Sequence, residues 1–238
     1  MNEHTDDVDP LFALRALAEP KRRALYDYVV AAGTWVGRDE AADATGLQRG
    51  LSAHHLDRLA LDGLLEVDYQ RLSGRTGPGA GRPAKVYRRT RRDFSVTLPP
   101  RHYEYAGRIL ADAIVEAQTS GRDVSDTVAA AARAAGRQLG AAIRQRVDET
   151  GSSGAGRAVV LDVLREHGFE PEQQDDGVVR LRNCPFHQLA QRQTDLICGM
   201  NHLLIDAALT EANVGGFNAV LQPDPDTCCV HLTNTANG

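Results

Sequence analysis

The twelve residues "SGRTGPGAGRPA" (73–84) contain four glycines and two prolines. No helix or strand tolerates that density, because glycine loses the most conformational freedom on folding and proline lacks a backbone N–H to donate. The stretch is therefore a loop, and the constraint falls on what flanks it. Before it, "LEVDYQRL" (65–72) alternates Leu65, Val67 and Tyr69 with polar residues; after it, "KVYRRT" (85–90) alternates again. Alternating runs on either side of a breaker read as a β-hairpin with a long tip. Four short helices precede it. In "DPLFALRALAEPKRRALYDYVVAAG", Asp9 can cap the first with Pro10 at its first helical position, and Pro20 restarts the second after Glu19. Leu25, Tyr26, Val29 and Val30 recur at helical spacing until Gly33. "RDEAADATG" gives a third helix stopped by Gly46. "LQRGLSAHHLDRLALDGLL" gives a fourth, with Leu51, Leu56 and Leu59 facing inward and Gly63 closing it.

Charge is distributed unevenly over this plan. The formal net charge is −5. Yet Arg71, Arg75, Arg82, Lys85, Arg88, Arg89, Arg91 and Arg92 lie between Tyr69 and Arg92 with no acid among them. From Arg101 onward acids outnumber bases. One concentrated basic stretch in an otherwise acidic chain points to a local anion-binding surface. Read alone, such a run is equally the solvated face of any soluble protein. Helices followed by a hairpin make a winged helix-turn-helix, and that order turns the surface toward DNA. Gln48, Arg49, Ser52 and His55 fall at or near the start of the fourth helix. Gln and Arg there suit bidentate readout of base edges, while Ser and His suit phosphates or single contacts. Arg75 and Arg82 sit on a glycine backbone that can approach phosphates or a minor groove, and Lys85 and Arg88 extend the basic face. His54 belongs to the same set. The competing role for the histidine pair is packing against the preceding helix, with His54 ahead of His55.

Three segments in this order, "LAEPKRRALYDYV", "SAHHLDRLALDGLLEV" and "RTGPGAGRPAKVYRRT", resemble the ArsR-like winged-helix regulators of bacteria, in particular the iron–sulfur regulators of the Suf operon. The resemblance covers residues 10–92. It implies a homodimer on double-stranded operator DNA, with protein symmetry setting the half-site spacing.

The rest of the chain reads as two helices from Arg101 to about Val147, broken at "TSGRD" where Ser120 or Asp123 can cap the second, and then a small α+β domain. Val124, Val128, Ala132, Ala135, Leu139 and Ile143 form one apolar stripe, a natural dimer seam or else an intramolecular core. "GSSGAG" (151–156) reads as a joint. Beyond it come a helix, a strand ending at Cys184, a long helix "HQLAQRQTDLICGMNHLLIDAALTEAN", and the strands "GFNAVLQP" and "CCVHLT". The expected class is mainly α with small β (α+β). The expected divisions are a disordered 1–9, a winged-helix domain 10–92, dimerisation helices 93–150, a cysteine-containing sensor domain 157–233 and a tail 234–238.

All four cysteines, Cys184, Cys198, Cys228 and Cys229, lie in that last domain. Their spacing is not the close-paired pattern of a zinc finger. Tetrahedral zinc through Cys184, His187, Cys198 and one of the doublet is an alternative, as is burial of the thiols as small hydrophobes. In the Suf regulators three cysteines hold a 4Fe–4S cluster. The resemblance therefore implies Cys184, Cys198 and Cys228 or Cys229 as ligands, with His187, an acid or a small molecule as the fourth. An additional cysteine that some members carry just upstream of the first has no counterpart in "VVRLRN". The chain is thus expected to be a DNA-binding regulator, more a repressor than an activator, that senses cluster or redox status. The alternative is a regulator binding an organic ligand or zinc. No nucleophile elbow, P-loop or dinucleotide fingerprint argues for an enzyme. No membrane span is expected, and with an acidic rather than signal-like N-terminus the expected location is the cytoplasm.

Overall fold

The computed structural model describes residues 10–71, 83–151, 154–214, 216–224 and 227–235. The protein is a mixed α+β chain that divides into two compact units, residues 1–96 and 97–238. Asp9, the expected cap of the first helix, lies outside the described residues.

The first unit contains α1 (Pro10–Ala16), α2 (Pro20–Ala32), β1 (Val36–Gly37), α3 (Arg38–Thr45), α4 (Arg49–Leu61), β2 (Leu65–Gln70) and β3 (Ala84–Arg89). Local chemistry sets the helix ends. The Glu19 carboxylate accepts from the backbone amides of Lys21 (3.1 Å) and Arg22 (2.6 Å), satisfying two donors that the start of α2 leaves open. Gly33 and Gly46, at φ of 64° and 66°, close α2 and α3 in the left-handed conformation that glycine alone adopts without strain. The strands form an antiparallel sheet in the order β1-β3-β2. The two-residue β1 has no sequence signal, since its pairing with β3 is tertiary. Leu25, Val29, Leu56, Leu59 and Tyr87 fill the core. The alternation expected of β2 is corrected: Leu65 is buried, but Val67 and Tyr69 are exposed. As an edge strand, β2 reaches the core only where it leaves α4.

The second unit contains α5 (Tyr103–Ser120), α6 (Val124–Thr150), α7 (Gly156–Glu166), β4 (Pro171–Gln173), β5 (Val179–Leu181), α8 (His187–Arg192), α9 (Thr194–Ala212), β6 (Phe217–Leu221) and β7 (Val230–Asn234). Asp123 caps α6 by accepting from the Ser125 amide at 2.7 Å. The sheet is antiparallel in the order β4-β5-β7-β6. The long helix expected from His187 is two helices, interrupted at Gln193, whose φ of −138° and ψ of 66° lie outside helical values. Cys228 and Cys229 precede β7 rather than lying in it.

The helices expected at 93–150 do not form a unit of their own, because α5 and α6 share one core with the cysteine-bearing elements. Val128, Ala132, Leu139 and Ile143 of the apolar stripe are buried inside this unit, whereas Val124 is 50% exposed. α6 meets α9 backbone to backbone. A Cβ at Gly136 would overlap the Leu204 carbonyl and lie 2.8 Å from the Ala207 Cβ; one at Gly140 would overlap the Ala208 carbonyl and lie 2.7 Å from the Glu211 Cβ. Among the described residues no helix is long and apolar enough to cross a membrane.

Candidate functional site

In the first unit, the start of α4 is presented by Gln48, an extended residue (φ −64°, ψ 138°) that occupies the cap position. Gln48 and Arg49 are exposed. Arg49 keeps 77% of its side chain accessible while its Nε lies 2.5 Å from Asp39. His54, one face round, is exposed as well. Ser52 and His55 are not available to a groove, and their expected contact roles are corrected: Ser52 is fully buried and His55 is 7% exposed. The histidine that packs inward is therefore His55, not His54. Burial pushes the His55 imidazole below its ordinary pKa, against the opposing pull of Glu19, whose carboxylate lies 3.6 Å from Nε2. Arg75 and Arg82 lie outside the described residues.

Lys85 and Arg88 stand at the base of the hairpin, but both are engaged. The Lys85 ammonium sits 2.5 Å from Asp57 with 22% of its side chain exposed. Arg88 pairs with Glu66 at 2.7 Å and stacks 4.5 Å over the Trp35 ring. Asp57, which sequence reasoning missed, is the centre of a network. It accepts from Lys85, from the Tyr87 hydroxyl at 2.6 Å and from Arg38 at 3.2 Å, while Arg38 Nε donates to the same hydroxyl at 2.9 Å. Burial works against the Asp57 charge, but these donors hold its carboxyl below the ordinary range. The network fastens α3 and α4 to β3. Nothing in the sequence marks Asp57, because its partners come from two segments distant in sequence, α3 and β3. Arg89, Arg91 and Arg92 remain on the exposed surface.

In the second unit the fold gathers all four cysteines, each buried and none in a disulfide. Cys184 follows β5, Cys198 is in the first turns of α9, and the doublet leads into β7. Cys184, Cys198 and Cys229 line one cavity of about 220 Å³ together with His187, Asp224 and Thr227. Cys228 does not line that cavity. Its sulfur accepts from Asn201 Nδ2 at 3.3 Å, and Asn201, 1% exposed, leaves its Oδ1 without a hydrogen-bond partner.

The thiols polarise one another. A hydrogen bond from Cys228 draws the Cys184 pKa below its ordinary value despite burial. Donation to Cys184 and Cys229, with burial, raises Cys228 far above it. Burial and donation to Cys229 take Cys198 up to about 12. Cys229, accepting from Cys228 and Cys198, falls to about 7. The shifts thus run downward at Cys184 and Cys229 and upward at Cys198 and Cys228.

His187 is exposed at the cavity rim. His202 directs Nε2 to the Ala219 carbonyl and His231 directs Nε2 to Thr227, so neither belongs to the thiol group. Among the described residues no set of three or more His, Cys, Asp or Glu is drawn close enough to hold a single metal ion. Asn201 and Asp224 were missed in the sequence, since an amide or acid far from the cysteines carries no motif. No protein-family model matches the chain, and no curated protein or solved structure matches it.

Proposed function

We propose that the chain is a DNA-binding transcriptional regulator, acting as a repressor, whose second unit senses iron–sulfur or redox status through its thiols. The observation that carries the DNA half is the exposed start of α4, with Gln48 and Arg49 free of the core, in a unit whose element order ends in a basic hairpin. The winged-helix arrangement follows from that order. Three thiols on one cavity wall support the sensing half.

Three thiols on one cavity support a 4Fe–4S cluster over a single ion, and binding it would require the hydrogen-bonded Cys198 and Cys229 to part. A cluster takes its thiolates at separate corners, whereas a zinc ion needs its ligands converging on one point. Cys184, Cys198 and Cys229 would hold it, with His187 or Asp224 at the remaining corner; Cys228, itself accepting from Asn201, would donate from behind. Such a group supplies redox chemistry and lability to oxidants. The chain's own part is to draw together a loop, a helix and the approach to a strand. For a homodimer, α5 offers Ile114 and Val115, 48% and 58% exposed, in place of the buried stripe of α6.

Anaerobic purification followed by visible absorption and iron and sulfide analysis tests the sensing half. The wild type is expected to be brown with near-stoichiometric iron and sulfide, and Cys184→Ser and Cys198→Ser to be depleted of both. A colourless wild type that also resists reconstitution with ferrous iron and sulfide would sink the cluster and leave the organic-ligand alternative.

A further inference from the structure

The chain leaves the first unit at Val96, and shortly after it Pro100, Arg101 and His102 are fastened to the loop that bears Cys184. Arg101 Nη1 donates to the Asn183 side-chain oxygen and, at 2.8 Å, to the Cys184 carbonyl. Asn183 returns the contact: its Nδ2 donates to the Pro100 carbonyl at 2.9 Å and to the Gly168 carbonyl at 2.5 Å. The His102 amide donates to the Pro185 carbonyl at 3.1 Å, and the Arg101 amide to Thr97 Oγ1 at 2.8 Å. Asn183 is 5% exposed, so its bonds are shielded from water. Hydrogen bonds donated by a charged group are among the stronger ones, so a shift of the loop that breaks even one is felt by the segment. The path from the Cys184 thiol to residues 97–102 is therefore one residue of backbone and two side chains.

We propose that Arg101 and Asn183 are coupling residues, which fasten the segment leading out of the first unit to the Cys184 loop so that whatever is held at Cys184 sets how tightly residues 97–102 are tied down. This rests on the reading of the chain as a thiol-sensing regulator. Neither residue lines the cavity: Arg101 acts on the carbonyl of Cys184, and Asn183 on the carbonyls of Pro100 and Gly168. The physical requirement for coupling between two sites is an element whose equilibrium both bias, and this hydrogen-bonded segment is the one the chain must pass through.

The test uses full-length protein, loaded by anaerobic reconstitution with ferrous iron and sulfide, and a labelled duplex selected from a random-sequence library. In the wild type, loading is expected to change duplex affinity about fivefold or more, the lower end of ordinary allosteric coupling. Arg101→Ala and Asn183→Ala are expected to load as much iron and sulfide as the wild type, but their affinities with and without cluster should converge to within twofold. Arg101→Lys, which keeps the charge and loses the fork, should recover only part of the difference. Undiminished coupling in the alanine variants overturns the proposal. Should the variants misfold, hydrogen exchange in the wild type decides: loading should slow the Arg101 and His102 amides, and unchanged rates overturn it. A wild type that neither loads nor binds the duplex overturns the regulator reading, and the coupling claim falls with it.

Discussion

Ser52 shows at the scale of one residue how far a pattern in sequence can mislead. It stands beside Arg49 in a helix start rich in polar groups, and a hydroxyl there suits a phosphate. The structure buries it completely and gives its Oγ no hydrogen-bond partner. Leaving a buried hydroxyl unpaired costs about 1–3 kcal/mol. Ser52→Ala is therefore expected to raise the urea midpoint, by up to about 1 kcal/mol of stability, and to leave duplex affinity and its salt dependence unchanged. Arg49→Ala should do the opposite, leaving stability near the wild type while weakening the duplex complex about tenfold or more and flattening its salt slope. A Ser52→Ala protein that binds the duplex as poorly as Arg49→Ala would overturn the assignment of α4's faces. The same distinction separates His54 from His55. Adjacent residues on a helix point about a quarter-turn apart, so the sequence identifies the pair but only packing against α2 decides which ring is covered.

At the scale of elements, the parts legible in advance were those whose ends are written locally. Glu19 and Pro20 start α2, Gly33 and Gly46 stop α2 and α3, and Asp123 starts α6, each through a cap that needs no distant partner. β1 and β4 were illegible for the opposite reason, because short strands exist only through the partners they pair with. The break at Gln193 carries no Gly or Pro to announce it. The gathering of the thiols was half legible: their confinement to one domain could be read, but not that Cys229 faces the cavity while Cys228 faces Asn201.

The α6–α9 contact belongs here as well. Gly136 and Gly140 look like poor choices within a helix, each costing about 1 kcal/mol relative to alanine by propensity. They are there because α9 approaches to backbone distance, bringing the helix that carries Cys198 against α6. Gly136→Ala and Gly140→Ala should reverse the propensity expectation and destabilise the second unit, by about 1–3 kcal/mol each as overpacking does. Thermal melts of the two variants check this. An increase in melting temperature would mean that the helices lie farther apart than described. Gly107, on α5 with open space around its Cβ position, is the internal control, and Gly107→Ala should be neutral or stabilising.

The whole molecule is two units, each with its own buried apolar cluster, joined through the segment at 96–97. A ligand that binds only the folded state stabilises the unit that contains its site, and at a concentration a hundredfold over its dissociation constant the gain is about 2.7 kcal/mol. All four thiols lie in the second unit, so loading should act on that unit's unfolding and not on the other's. Calorimetry of the reconstituted full chain is expected to resolve two transitions. Removing the cluster with a chelator and an oxidant should move one of them down by several degrees and leave the second in place. The shifting transition can be assigned independently, because Gly136→Ala should lower it and Ser52→Ala should not move it. If both transitions moved together, the first unit would draw its stability from the second, and the two could not be the separable bodies their cores describe. If neither moved, the thiols would hold nothing that matters to folding, and the cavity between Cys184, Cys198 and Cys229 would have to earn its role through transient chemistry at Cys229 instead.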